Sequence, residues 1–326
     1  MAGPLPAMAA NRGRTMNLQQ LRIIREAVRQ DYNLTDVANA LYTSQPGVSK
    51  HIRDIEDELG VEIFIRRGKR LLGLTDPGRE LVGVVERILL DTQNLRRIAA
   101  QFSSKESGHL VIATTHTQAR YVLPPVITRF RQDFPKVHLV LHQGNPQEIA
   151  DMLREGRADI GIATEGLAGQ AELATFDGYD WQHAVIVPDG HPLTLSPRLT
   201  LEAIAAYPLI TYHLGLTGRS NIDRSFTAAG LQTDIVLSAI DADVIKAYVE
   251  TGLGVGIIAE MAFDATRNTG LTLLPTHDLF ATNTTRLALR RGRYLRSYAY
   301  RFIEYFAPGL DEDAVNSRLK TELEPA

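Results

Sequence analysis

Cysteine is absent from the 326 residues, which removes disulfides, thiolate redox sensing and Cys-ligated zinc together. A reducing compartment fits such a chain best, so a cytoplasmic protein is expected. Apolar runs stay short of the roughly 18 residues a membrane span needs, and no membrane partner is expected. The leading stretch MAGPLPAMAANRGRT lacks the apolar centre of a signal peptide. Residues 1–15 read as a disordered extension, or as a start placed too early, with Met16 the functional start. GxSxG, GxxxxGK[ST] and HExxH are all missing, and no nucleophile can be paired with a base. Neither an enzyme nor a catalytic residue nor a cofactor is therefore expected. His138 and His142 share a strand face, but four residues at roughly 3.3 Å each hold them too far apart for one metal; no metal site is expected. Gly252 to Ile257, GLGVGI, fails GxGxxG at its last position and reads as close packing of a strand against a helix. The formal net charge is only −3, which decides nothing, so charge has to be read locally.

What is present begins with Leu34 to Phe64, two short helices at a tight turn followed by a strand. Thr35 is placed to cap the first helix, whose Val37, Ala38 and Leu41 point inward, and Ala38 is small enough for a second helix to cross it. Tyr42 and Thr43 fill the turn. Ser44 can cap the next helix and Pro46 sits in its first turn, where a missing N–H costs nothing. Val48, Ile52, Ile55 and Leu59 then recur at 4, 3 and 4, leaving Gln45, Ser49, Lys50 and Arg53 on the outer face and Gly60 at the end. Glutamine can bond adenine bidentately and a cation can reach guanine or phosphate. Between Ile63 and Leu74 lie Arg66, Arg67, Lys69 and Arg70 with no acidic residue, and Gly68 at a hairpin tip: a wing that could grip a DNA backbone. An ordinary helical hairpin with a solvated basic loop would show the same spacing. Cap, crossing alanine, polar face and basic wing together favour a winged helix-turn-helix over residues 16–75, all-α apart from its wing, supported by a preceding helix with Leu18, Leu21, Ile24 and Val28 inward.

Thr75 or Asp76 caps a long helix that runs to about Phe102, the core of a linker over residues 76–106. Leu81, Val85, Ile88, Thr92, Leu95, Ala99 and Phe102 repeat at 4 and 3 along it. Such a seam can dimerise and present two recognition helices to a two-fold DNA site; packing on its own domain is the alternative. After SSKESG (residues 103–108) the pattern becomes α/β, with expected strands at 110–113, 137–142, 158–163, 183–187, 208–211, 235–238, 256–259 and 286–290. Helices are expected at 124–134, 146–154, 243–251 and 294–306. The reading is an α/β chain whose effector domain (107–310) has two lobes, about 107–168 with 277–306 and about 169–276, and a tail at 311–326.

Ligands of open α/β sheets collect where strands end. Three expected strand ends carry hydroxyls: Thr114, Thr115, Thr117 and Gln118 after one, Thr164 after another, and Thr217 with Gly218 and Arg219 after a third. Neutral donors converging on one place can hold a sulfate, a carboxylate or a small zwitterion. Each threonine could equally be a helix cap. Trp181, the lone tryptophan, more often fills a core than stacks on a ligand.

From about Met16 to Leu310 the chain resembles the LysR-type transcriptional regulators. LQQLR (18–22), LYTSQPGVSKHI (41–52), TTHTQARYVLP (114–124), LTGRS (216–220) and DADVIKAYVETGLGVG (241–256) look like the CysB branch of that family. The resemblance implies a winged helix-turn-helix, a linker helix and a two-lobed domain like the type 2 periplasmic binding proteins. It further implies a cytoplasmic homodimer or homotetramer that binds double-stranded promoter DNA, engages RNA polymerase and activates sulfur-assimilation and cysteine-biosynthesis genes. The effector implied is acetylserine, opposed by sulfate or thiosulfate; sulfonate-utilisation relatives answering to sulfate or adenylyl sulfate are the alternative. Carried over by motif, the anion site falls on Thr115, Thr117, Gln118, Thr164 and Thr217 with Trp181 nearby. The DNA contacts fall on Gln45, Pro46, Ser49, Lys50 and Arg66. A solute-binding protein is the rival from another class, and it would leave residues 18–75 without a use.

Overall fold

A computed structural model describes residues 16–103, 107–276 and 278–320. The expectations for residues 1–15, the centre of the SSKESG linker and the end of the tail lie outside these. The described residues fall into two compact units, divided between Arg96 and Arg97.

The first unit opens with α1 (Leu18–Arg29), started by a capping box in which Asn17 and Gln20 exchange side-chain and backbone bonds. Its buried residues are Gln20, Leu21, Ile23, Ile24 and Ala27, so Leu18 is exposed where an inward position was expected. α2 (Leu34–Ala40) is capped by Asn33, which accepts from Thr35 N–H at 3.0 Å, and not by Thr35. The helix starts two residues earlier than expected, with Leu34 of its first turn buried in the core. α3 (Gln45–Leu59) starts at Ser44, whose hydroxyl accepts from Gly47 N–H, and stops at left-handed Gly60. Val48, Ile52 and Ile55 are buried as expected, but Leu59 is exposed and Glu56 is buried in its place. β1 (Phe64–Arg67) and β2 (Arg70–Leu74) form the antiparallel wing with Gly68 at a left-handed tip. α4 (Asp76–Ser103) follows, with the Thr75 hydroxyl accepting from Gly78 N–H at 3.0 Å. A Cβ at Gly78 would lie 2.0 Å from the Ile63 carbonyl oxygen, so only glycine lets this helix start so close to the wing.

The second unit holds two five-stranded mixed sheets. In chain order its elements are β3 (Gly108–Thr114), α5 (Leu123–Asp133), β4 (Val137–Gln143), α6 (Pro146–Arg154), β5 (Ile160–Ala163), β6 (Leu173–Trp181) and β7 (His183–Pro188). Then come α7 (Leu201–Ala205), β8 (Leu209–Tyr212), α8 (Arg219–Ala228), β9 (Ile235–Ala239), α9 (Ala242–Glu250), β10 (Val255–Ala259), β11 (Leu271–Pro275), β12 (Asn283–Arg290), α10 (Ser297–Phe306) and α11 (Glu312–Lys320). Lobe I carries the order β4-β3-β5-β12-β6 and lobe II the order β11-β7-β10-β8-β9.

The lobe boundary differs from expectation. β6 pairs antiparallel with β12 and so belongs to lobe I, which moves the crossover from residue 169 to Gln182, between Trp181 and His183. The sequence pattern hid β6 because its register with β12 shifts between Thr285 and Arg286. Gly178 is the extra residue of that bulge, where a Cβ would meet Phe306 at 2.8 Å. β11 and α8 also went unforeseen, the first short and ending in proline, the second without a capping side chain. The tail is not separate: Val315 and Leu319 of α11 are buried in the lobe I core beside Phe302 and Phe306. Gly256 packs as GLGVGI suggested, since a Cβ there would lie 2.8 Å from Val249 of α9.

Candidate functional site

Two surfaces carry the expected chemistry, one in each unit. In the first, Ser44, Pro46, Lys50 and Arg53 are exposed and Gln45 and Ser49 half-buried along the N-terminal turns of α3. Tyr42, in the turn before it, is 98% exposed with a left-handed backbone. The basic wing is anchored by a residue the sequence reading did not single out. Buried Glu56 accepts from Ile63 N–H at 2.9 Å and Phe64 N–H at 3.2 Å, and its other oxygen takes Arg66. Arg66 is thus engaged within the unit, whereas Arg67, Lys69 and Arg70 are exposed. An i, i+4 stripe makes a helix interior look purely apolar, so a carboxylate at 56 gives no local sign of facing inward.

In the second unit the hydroxyl-bearing strand ends meet between the lobes. After β3 the chain makes a π-helical turn, Gln118–Val122, before α5. This delivers Thr117, Gln118, Arg120 and Tyr121 to the interlobe face. Thr117 and Thr217 hydroxyl oxygens are 3.3 Å apart across the lobes. Gln118 Nε2 donates to Thr285 Oγ1 at 3.1 Å, Trp181 Nε1 donates to the same oxygen at 3.0 Å, and Thr164 Oγ1 lies 3.4 Å from it. Tyr179 donates to Gln118 Oε1. Thr115 is buried in the same turn, its N–H donating to Ile162 and its carbonyl accepting from Ala119. Of the six residues expected at the effector site, Gln118, Thr164 and Trp181 meet at Thr285 within lobe I, Trp181 through its indole N–H, Thr117 faces Thr217 across the lobes, and Thr115 is buried in the turn that leads to Thr117 and Gln118. Thr285, the hub, was missed because the late strand was expected to begin at Arg286. Inward-facing Asn283 and Thr285, two residues apart and ahead of Leu287, were the available signal.

The turn opposite is strained. Thr217 (φ +47) and Gly218 (φ +70) are both left-handed, which for a β-branched residue costs roughly 1–3 kcal/mol. Gly218 is irreplaceable in this packing: a Cβ would lie 2.1 Å from Asn283 Oδ1 and 2.7 Å from His183 Cε1. Beneath the turn, His183 Nε2 bonds the Thr217 carbonyl at 2.9 Å and Asn283 Nδ2 approaches His183 Nδ1 at 3.2 Å. Burial pushes His183 down to about 4, so it is neutral near pH 7. Two further residues not foreseen, Glu165 and Asp243, add to the interlobe contacts. Glu165 accepts from Gly218 N–H. Asp243 accepts from Tyr121 at 2.7 Å, pairs with Lys246 at 3.0 Å, and lies 3.4 Å from Arg120 of the other lobe.

His116, Asp241 and Asp243 bring three possible metal-ligating atoms within 4.8 Å of one another. Asp243 is already committed to Tyr121, Lys246 and Arg120, and Asp241 caps α9 through Val244 N–H. The group is an interlobe polar cluster and not a cation cage. A neighbouring open cavity of about 610 Å³ shares Tyr179 and Trp181 but is lined by Asp180 and Glu260 with no lysine or arginine, a poor setting for an anion. Among the described residues no helix is long and apolar enough to cross a membrane.

The comparisons with known proteins agree with this division. Residues 18–79 match the family described as bacterial regulatory helix-turn-helix protein, lysR family, and residues 103–311 match the LysR substrate binding domain. The HTH-type transcriptional regulator SsuR of Burkholderia cenocepacia is 60% identical over 94% of this chain and 99% of that protein. The regulator cbl of Klebsiella aerogenes is 58% identical over 92% of this chain and 95% of its own. CysB of Burkholderia cenocepacia is 52% identical over 95% and 99%. The crystal structure of the cofactor-binding domain of the Cbl transcriptional regulator superposes with a TM-score of 0.64 at 51% identity, covering 66% of this chain and 95% of that one.

Proposed function

The chain belongs to the LysR family of transcriptional regulators, and within it we propose a regulator of sulfur metabolism that reads promoter DNA with α3 and senses a small oxyanion between its lobes. It is related to SsuR, Cbl and CysB regulators rather than to enzymes. The observation that carries the sensing half is the Thr117–Thr217 hydroxyl pair across the lobes, together with the lobe I cluster of Gln118, Thr164, Trp181 and Thr285, neutral polar groups among which no lysine or arginine stands. Neutral hydroxyl, amide and indole groups can hold a sulfate or carboxylate, each bond to an ionised acceptor contributing on the order of 1.5–3 kcal/mol. Two specific readings follow from the branch. One is control of cysteine biosynthesis with acetylserine as inducer and sulfate or thiosulfate as antagonist. The other is control of sulfonate utilisation in response to sulfate or adenylyl sulfate, and it is favoured by higher identity to SsuR and Cbl than to CysB. Cytoplasmic residence and engagement of RNA polymerase belong to the same proposal.

A thermal-shift screen of O-acetylserine, N-acetylserine, sulfate, thiosulfate and adenylyl sulfate, with and without promoter DNA, separates the two readings. The active compound should stabilise by about 2.7 kcal/mol at 100 times its dissociation constant. Thr117→Val and Thr115→Val should each remove that stabilisation, and a full response in both variants would move the sensing site elsewhere. On the DNA side, Gln45→Ala should relax base preference. Lys69→Ala should weaken all sequences alike and reduce the salt slope by about one. Operator affinity indifferent to both changes would count against α3 and the wing as the reading surface.

A further inference from the structure

At the head of α8, the backbone amide of Gly218 donates to a carboxylate of the protein's own, and the Thr217 amide adds to the pull on it. Glu165 reaches them from lobe I, one residue after Thr164, while the Thr217 hydroxyl faces Thr117 3.3 Å away. One corner of the cleft therefore offers two left-handed backbone N–H groups and two hydroxyls, the donor set for an oxyanion, and Glu165 already fills part of it. Its second oxygen, Oε2, is buried without a hydrogen-bond partner. We propose that Glu165 is the specificity-determining residue of the cleft, an internal competitor that takes the Gly218 amide in place of the effector's anionic group and gives it up on binding, taking a proton on Oε2.

This rests on the cleft as the sensing site and deepens that reading. A dianion set beside an ionised carboxylate in a buried site would be repelled, so displacement and protonation go together. Burial pushes Glu165 up to about 7, against the pull of the Gly218, Glu165 and Thr217 backbone N–H groups, so the proton is within reach at ordinary pH. Other titratable groups around it are accounted for. His183, beneath the turn, stays neutral above pH 5. Arg219, at the start of α8, is taken up by Asp223 at 2.8 Å and by the Tyr212 carbonyl. His116, in the turn after β3, has a buried Nδ1 without a partner and lies near Asp241 and Asp243, which makes it the control position. A ligand carrying an ammonium group toward Glu165 would need the carboxylate ionised and would reverse the pH trend, so Glu165 sorts oxyanions from zwitterions by pH.

The test is calorimetric titration of the full-length protein with potassium sulfate, a dianion at every pH used, from pH 6 to pH 8.5. For the wild-type chain the dissociation constant should rise about tenfold per unit above pH 7, roughly thirtyfold over the range. Glu165→Gln should bind sulfate at pH 8.5 about as tightly as the wild type does at pH 6, with a flat profile, and His116→Gln should keep the wild-type slope. A flat wild-type profile, or a slope that persists in Glu165→Gln and vanishes in His116→Gln, overturns the proposal. If Thr117→Val abolishes sulfate binding while Glu165→Gln leaves the slope intact, the cleft stands and the role of Glu165 falls. If Thr117→Val and Glu165→Gln both leave binding untouched, the cleft reading falls with it; if neither the wild type nor Glu165→Gln binds sulfate, the role of Glu165 falls alone.

Discussion

At Thr285 a single hydroxyl meets side chains that lie 104, 121 and 167 residues away in the chain. That convergence makes its chemistry invisible locally, since threonine in a strand is ordinary for its β-branched shape. Thr285→Val keeps the shape and removes the oxygen, leaving the Gln118 amide and the Trp181 indole without their shared acceptor. The loss should be roughly 2–4 kcal/mol in sum. Trp181 is the only tryptophan, so its fluorescence reports the change directly. An emission spectrum and melting temperature equal to the wild type's would mean the hub carries no energy. Residues that act through backbone-local geometry were easier to read. Ser44 at a helix start and Gly60 at its end declare themselves because their partners are within four residues.

Among the elements, the ones legible in the sequence are those whose hydrogen bonds close locally. α3, α4, α6 and the wing were placed to within a residue or two because caps, heptads and turn glycines are short-range signals. β6 was not, because a bulge at Gly178 breaks its alternation and its only sheet neighbour among the described residues is β12, more than a hundred residues away. The wing shows a further layer: its turn is local, but its attachment is Glu56 on α3. Glu56→Ala should leave the buried Ile63 and Phe64 N–H groups unsatisfied and Arg66 unpaired. We expect the DNA-binding unit to lose about 3 kcal/mol in denaturant unfolding and to bind DNA more weakly. Unfolding midpoints unchanged by the substitution would show that the wing is held by its apolar contacts, Phe64 and Leu71, alone. The seam of α4 divides in a way its periodicity could not foretell. Val85 is buried in the first unit and Leu81 and Ile88 pack against that core, whereas Leu95 and Phe102 are 69% and 80% exposed.

For the whole molecule, that division supports a dimer made along the second half of α4, a proposal with a direct check. Leu95→Asp should shift the protein toward monomer in sedimentation velocity and weaken binding to a two-fold operator, while each unit keeps its own melting transition. An oligomer unchanged by the substitution would place the self-association surface elsewhere. Two lobes, their order and the hydroxyl-rich strand ends were legible because α/β periodicity and strand-end chemistry repeat along the chain. The sequence by itself determined a DNA-reading helix pair with a basic wing, a long helix, and an α/β domain with neutral donors at its strand ends, since each rests on interactions within a few residues. Only the tertiary structure decided that the crossover falls at Gln182, that Thr285 joins Gln118 to Trp181, and that Glu165 of one lobe takes the Gly218 amide of the other. Those contacts join segments far apart in the chain, and no local pattern records which distant partner a buried polar group will find.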